Sequence, residues 1–261
     1  MRRPLALWLL VGIVFAASVV VALDSNSYSN QDRDAPLAVS SMRHPAGTDG
    51  IGRDRLVRVA AALLISLGGA VAASLVTTAA AAGVGTLAAF SSGYLGRPIM
   101  LICDVFLALP WLFLIMIVRS LLPLTTSPAH SAAITYLILA ALGWPACARA
   151  VYQGAVRLRS SEWILYARAA GLRGDQVIGQ VIPSLLPLLA PQFLVSVPAF
   201  VIAEANLGAI GLGVGEPLPS LGGMLLELDN SAMVLRSAWV FLPIVVLVSV
   251  LLLLEAVSVE V

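Results

Sequence analysis

Three carboxylates interrupt runs that are otherwise apolar: Asp104, Glu204 and Glu255. An ionised group inside hydrocarbon is costly, so each reads as a group facing protein or water, able to bind cargo, relay a proton or brace a loop. Glu204, followed by Asn206 near the end of its run, fits either a translocation path or a support for the loop after it. Asp104 also fits a polar packing or hinge residue beside Pro110, and Glu255 lies close enough to the end of its run to reach the membrane surface. Proton relays pair such carboxylates with histidine or lysine, yet His44 and His130 both fall outside the apolar runs.

The fifteen basic residues are all arginine. Without lysine there is no phosphate-binding loop, whose lysine contacts the β and γ phosphates, and no Schiff-base amine. ATP chemistry therefore cannot reside on this chain. The two cysteines, Cys103 and Cys147, form no C-x-x-C or zinc pattern and read as packing residues, and no metal site is expected. The run Gly208-Ala-Ile-Gly211-Leu-Gly213-Val-Gly215 fails the dinucleotide spacing, because Glu216 stands three residues after Gly213. It reads instead as looped or re-entrant backbone that Pro217 and Pro219 keep from extending as helix.

The elements that position these residues must lie in a bilayer. Of 261 residues, 60% are hydrophobic and 11% charged, with a mean hydropathy of +0.98. Soluble domains run near about 50% apolar and about 25% charged. A net charge of +1 gives no pull toward nucleic acid, and no nucleic-acid partner is expected.

Pro4 to Leu23 is an uncharged run of bilayer-crossing length and reads as a retained first span, longer than the apolar stretch of a cleaved leader. Residues 24–58 read as an extracytoplasmic loop. Val59 to Gly96 carries no charge, too long for one span and short for two, and positive charge decides. With Arg2 and Arg3 inside, one span here places Arg149, Arg157, Arg159, Arg168 and Arg173 inside as well, where arginine concentrates. Further spans are expected at Ile99 to Val118, Ser131 to Ala148, Leu185 to Ala205 and Ala238 to Leu254. The loop 207–237, with Glu216, Glu227 and Asp229 against Arg236, then lies outside and agrees. The fold class is all-α, a polytopic helical bundle of six transmembrane helices with both termini cytoplasmic, since the runs lack the period of two of barrel strands. Residues 59–261 form its core. Small residues crowd the second span, from Gly68 and Gly69 to Gly85, and read as close helix packing or a subunit contact.

Between the fourth and fifth spans, residues 149–183 are polar. Ser160 or Ser161 is placed to cap a short helix from Glu162 through Ala170, Gly171 to end it, and Asp175 to cap a second helix stopping at Pro183. A helix-turn-helix with small Ala167, Ala169 and Ala170 offers a compact knob for a partner's groove, or else a helix lying in headgroups.

Here the chain resembles the permease subunits of ABC importers, whose cytoplasmic "EAA" signature runs E-A-A-x-x-x-G and then I-x-L-P. Tyr166-Ala167-Arg168-Ala169-Ala170-Gly171 and Val181-Ile182-Pro183 occupy it, with Leu165 at the glutamate position. His44-Pro-Ala-Gly-Thr-Asp49-Gly-Ile-Gly-Arg53-Asp54 is similar to H-P-x-G-T-D-x-x-G-R-D of the dipeptide/oligopeptide/nickel branch. Residues Ala203 to Gly222 are similar to that branch's A-E-x-x-L-S-F-L-G-L-G-x-x-P-P-x-P-S-W-G. Asp104 with Leu109-Pro110, and Gly143-Trp144 through Arg149, fall in register.

The resemblance is to the second permease of the pair, with the type I permease fold, in the bacterial cytoplasmic (inner) membrane. It implies a non-catalytic subunit forming half of a heterodimeric pathway for peptides. The implied partners are a sister permease, two ATP-binding subunits or one fused ATPase holding ATP and Mg, and an extracytoplasmic substrate-binding protein. The implied coupling residues are Glu162, Tyr166, Ala167, Ala169, Ala170, Gly171, Leu172 and Asp175; candidates for the translocation path are Asp104, Glu204 and Asn206. A competing reading from the residues alone is a proton- or ion-coupled carrier using Asp104 and Glu204, and a third is a scaffold without transport activity.

Overall fold

The computed structural model describes residues 2–24, 28–91, 93–121, 127–230, 234–235 and 237–258. Residues 25–27 and Arg236, which figure in the loop assignments above, fall outside this set. The helices are α1 (Arg2–Leu23), α2 (Arg55–Phe90), α3 (Gly93–Ala108), α4 (Trp111–Ser120), α5 (Pro128–Arg159), α6 (Glu162–Ala169), α7 (Gly174–Ser184), α8 (Leu186–Ala209), α9 (Leu221–Leu225) and α10 (Leu242–Ser258). Among the described residues, extended pairing is confined to one bridge between Thr48 and Asp54.

Five helical stretches are long and apolar enough to cross a membrane: those of α1, α2, α5 and α8, and Ala238–Ser258, where a 3-10 turn leads into α10. The remaining span is made in two pieces. At Leu109-Pro110 the run Ile99 to Val118 breaks into α3 and α4, because proline has no N–H to donate to the turn before it. Both pieces pack on α5.

Val59 to Gly96 behaves as the charge argument requires. One unbroken helix, α2, runs for 36 residues, about 54 Å at 1.5 Å per residue. It begins earlier than expected, at Arg55, because Asp54 caps it: Asp54 Oδ1 accepts from Val57 N–H at 3.1 Å. At the far end α5 outlasts its expected stop at Ala148 and stays helical to Arg159, so the arginines at 149, 157 and 159 stand on helix rather than loop.

Chain direction places the 28–54 loop and the 210–237 loop at one end of the bundle. The start of α1, the end of α10 and α6–α7 lie at the other. The core divides in the same way. Toward the loop end, Leu63, Tyr136, Leu139, Val201 and Leu207 pack together; toward the α6–α7 end, Ala81, Cys103, Cys147, Val151, Ile164, Val177 and Val181 do. Both cysteines are free and buried in the second cluster.

The small residues of α2 sort by face. A Cβ on Gly69 would collide with the Tyr136 ring, and one on Gly85 would meet the Ala148 carbonyl at 2.6 Å. These glycines let α5 approach α2 closely, the usual substitute for hydrophobic drive between helices in lipid. Gly68 and Gly83 face open space. Accordingly, Gly85→Ala is expected to lower the detergent-solubilised protein's unfolding free energy by ~1–3 kcal/mol through overpacking. Gly68→Ala should be neutral or stabilising by up to ~1 kcal/mol through helix propensity. Thermal unfolding of the two variants checks the contrast.

Candidate coupling surface and translocation elements

At the α6–α7 end, the chain builds an anchored knob. Ile164 of α6 is fully buried, as are Val177 and Val181 of α7, one turn apart on one face. They pin both short helices to the cluster around Val151 and Cys147. What remains outward is apolar: Leu165 and Tyr166 are exposed, Tyr166 at 72%, with Ala169 and Ala170 beside them. Glu162 is exposed in the first turn of α6, and Ala167 and Leu172 are half-buried.

The turn is fixed by Gly171, which adopts φ +85°. Leu172 N–H bonds the Ala167 carbonyl at 3.1 Å and Ala170 N–H the Tyr166 carbonyl at 2.8 Å, closing α6 with a left-handed residue where the sequence places its stop. The cap assignments differ. Ser160 and Ser161 turn their hydroxyls back onto the carbonyls of Arg157 and Leu158, closing α5 instead of opening α6. Asp175 lies inside α7, whose cap position is Arg173; the Gln176 side chain accepts from Arg173 N–H at 2.9 Å. The Asp175 side chain lies outside the described set.

At the other end, Glu204 is fully buried on α8. Ser66 of α2 donates to its Oε2 at 2.9 Å, and the same hydroxyl oxygen accepts from Leu221 N–H, at the start of α9, at 3.1 Å. Tyr136 of α5 donates to the Ser66 carbonyl at 3.4 Å. Ser66 thereby ties four helices together. Glycine makes room for this: a Cβ on Gly208 would strike the Gly222 backbone, and one on Gly222 would meet the Glu204 carbonyl at 2.7 Å. Gly211, at φ +78°, turns the chain out of α8, with Leu212 N–H bonded to the Leu207 carbonyl at 2.8 Å. The glycine run is thus a looped connection, as its spacing implies. Asn206, two residues beyond Glu204, is exposed.

The segment His44 to Asp54 folds onto this bracket. Asp49 Oδ1 accepts from the backbone N–H groups of Ile51 and Arg53, and its Oδ2 pairs with Arg53 Nε at 2.6 Å. Arg53 and Arg58 then both bind Glu216, at 2.5 and 2.9 Å, while Arg55 binds Glu227 at 3.1 Å. Arg55 and Arg58 are only 1% and 2% exposed. Burial works to lower the Arg53 pKa, but its bonds to Asp49 and Glu216 raise it overall, so the hub of this network stays cationic. His44 Nδ1 lies 2.8 Å from Asp54 Oδ2. In the sequence, this segment is marked only by its resemblance. Arginines 53, 55 and 58, facing Glu216 and Glu227 in a chain so poor in charge, were the available sign of an ion-pair latch between the two loops. Asp104, finally, pairs with Arg149 across α3 and α5.

Residues 81–260, which include the α6–α7 knob, the broken span and Glu204, match the family described as binding-protein-dependent transport system inner membrane components. The chain belongs to this family of ABC importer permeases. It is 31% identical over 229 residues to an oligopeptide transport system permease protein of Mycobacterium tuberculosis, covering 86% of this chain and 76% of that protein. The Escherichia coli K12 oligopeptide permease is 31% identical over 239 residues, 90% and 76% of the two chains. A glutathione transport system permease of Pectobacterium atrosepticum is 27% identical over 246 residues, 93% and 78%. The permease therefore sits in the peptide/nickel branch and is an integral inner-membrane protein, which decides against the ion-coupled carrier.

The bracket uses a hydrogen-bond acceptor at residue 204. Glu204→Leu leaves the Ser66 hydroxyl without its acceptor and is expected to cost ~1–3 kcal/mol of stability. Glu204→Gln keeps an acceptor and should retain most uptake in proteoliposomes. Loss of uptake in the glutamine variant at normal protein level would return Glu204 to a proton-handling role.

Proposed function

We propose that the permease is one half of a heterodimeric pathway for peptides, driven by cytoplasmic ATP-binding subunits that dock on α6 and the Gly171 turn. The observation that carries this is the knob itself. Leu165 and Tyr166 stand exposed beside small Ala169 and Ala170, on a helix held rigid by buried Ile164, Val177 and Val181. Exposed apolar side chains on a short anchored helix suit a partner's groove, with Glu162, Ala167 and Leu172 at its margin.

Positive charge supports a cytoplasmic position for this end. Arg149, Arg157, Arg159, Arg168 and Arg173 stand at or near it against a single acidic residue before Asp175, Glu162, so both chain termini are cytoplasmic and the latch is extracytoplasmic. There the latch loops meet an extracytoplasmic binding protein that delivers cargo. ATP and Mg are held by the partner chains, two subunits or one fused ATPase, since this chain has no lysine for a phosphate loop. The peptide assignment follows the named cargo of the oligopeptide relatives.

ATP binding draws the ATPases together, carries the knob with them and shifts the bundle between inward- and outward-facing states. The shift requires that nucleotide favour one state, because equal affinity for both moves nothing. Gly171 must hold φ near +85° for the knob to keep its angle. Gly171→Val forces a branched side chain into that region at ~1–2 kcal/mol. ATP-driven peptide uptake should fall about tenfold, the factor that ~1.4 kcal/mol represents, while the ATPase subunits still bind nucleotide. Gly171→Asn, which tolerates positive φ, should keep most activity. Full transport by the valine variant would remove the turn from the coupling path.

A further inference from the structure

Asp104 and Arg149 form the one ion pair found on the membrane-crossing part of the described helices, and neither is hidden: their side chains are 46% and 50% exposed. Their depth is set by the packing of α5 on α8. Gly143 abuts the Phe200 ring, where a Cβ would come within 2.6 Å, and Phe200 lies close to the middle of α8. Arg149 follows Gly143 by six residues, about 9 Å along the axis. That is inside the roughly 15 Å half-thickness of the hydrocarbon. Half-exposed charges at this depth do not face lipid; they face water or protein.

The same face carries a cavity. About 320 Å³ opens beside the α3–α4 break, and its wall includes Leu107, Leu142, Ala146 and Phe200. On α5, Leu142, Ala146 and Arg149 recur at four and three residues, and on α3 Asp104 and Leu107 are three apart, so each set forms one stripe. The ion pair therefore stands at the cytoplasmic end of an apolar chamber. Glu204 does not line it; its Oε2 accepts from Ser66 of α2.

We propose that this chamber and the Asp104–Arg149 pair are a water-filled cargo subsite of the translocation path. Arg149 takes a carboxylate, Asp104 takes an ammonium group, and the apolar wall takes a side chain. A zwitterion with an apolar side chain is the complementary ligand, and a short peptide is such a molecule; the assignment rests on the peptide-permease reading above. Passage exchanges the internal ion pair for the two ends of the cargo, so neither charge is left uncompensated while the other moves.

The test uses the assembled transporter, with its binding protein and ATPases, in proteoliposomes. Ala146 is small, exposed and one turn from Arg149, so Ala146→Cys leaves the packing intact. Before the cysteine is introduced, ATP-driven uptake by the unsubstituted transporter is measured; its absence would overturn the peptide-importer reading and not the subsite alone. With uptake established, charged methanethiosulfonates are expected to label Cys at 146, the anionic reagent about tenfold faster than the cationic one, and a transported peptide should slow both. Adding Arg149→Gln should abolish the preference for the anionic reagent, a change that a purely structural role for Arg149 would not produce. Labelling only by a lipid-soluble maleimide would show that lipid covers the face. Protection from every reagent would show that the sister chain covers it, and either result overturns the proposal.

Discussion

A carboxylate enclosed between membrane-crossing helices finds no water, and whatever satisfies it must come from the protein. Glu204 meets that constraint at one of its two oxygens through Ser66, whose hydroxyl donates to Oε2 and accepts from Leu221 N–H. One hydroxyl on α2 thus fixes α8 and α9, and the Tyr136 bond to the Ser66 carbonyl adds α5. The glycines follow from the same requirement. α9 can bring its N–H to Ser66 only if its backbone lies directly on α8, which Gly208 and Gly222 permit. The loop from Gly211 to Ser220 is then the chain's route between two helices whose spacing is already set.

The latch between the loops builds on that frame. Arg53 reaches both Asp49 and Glu216, and Arg58 reaches Glu216 while also donating to the Tyr28 carbonyl at 3.3 Å. A guanidinium carries several donors in a fixed plane and can join partners from two loops; an ammonium on a flexible stem does this poorly. The exclusive use of arginine is therefore felt in the structure of the loops. Since α2 begins at Arg55, any pull on the first loop passes directly into a helix that runs the full depth of the bundle.

The class and the span parity were legible because they rest on long-range sums: apolar run length, and arginine concentrated at one end. Gly171 was legible because positive φ favours one residue type so strongly. The serine caps were not. Ser160 and Ser161 stand between two helices and could satisfy either, and the carbonyls that end α5 won both hydroxyls. The Glu204 partner was invisible for a different reason: Ser66 lies 138 residues away, and a serine inside an apolar run carries no periodic signal. The Asp104 partner was half visible, since Arg149 was assigned to a loop when it stands on helix, facing α3.

The third span shows why a departure from regular helix belongs at a functional position. Pro110 withholds an N–H and leaves a gap in the hydrogen-bond ladder between α3 and α4. Irregular backbone at membrane depth persists only where protein or water satisfies it, never against lipid. Leu107 and Ile115, on either side of the break, both line the cavity, and the Asp104–Arg149 pair joins α3 to α5 on the same face. The break, the cavity and the exposed ion pair are thus three consequences of one demand: this face must be kept out of the hydrocarbon. The loop end, held by Ser66 and the arginine latch, and the knob end, held by Ile164, Val177 and Val181, are both fastened to α2. Motion between them has to be taken up where fastening is weakest, and the two-piece span along that open face is where the continuous ladder is missing.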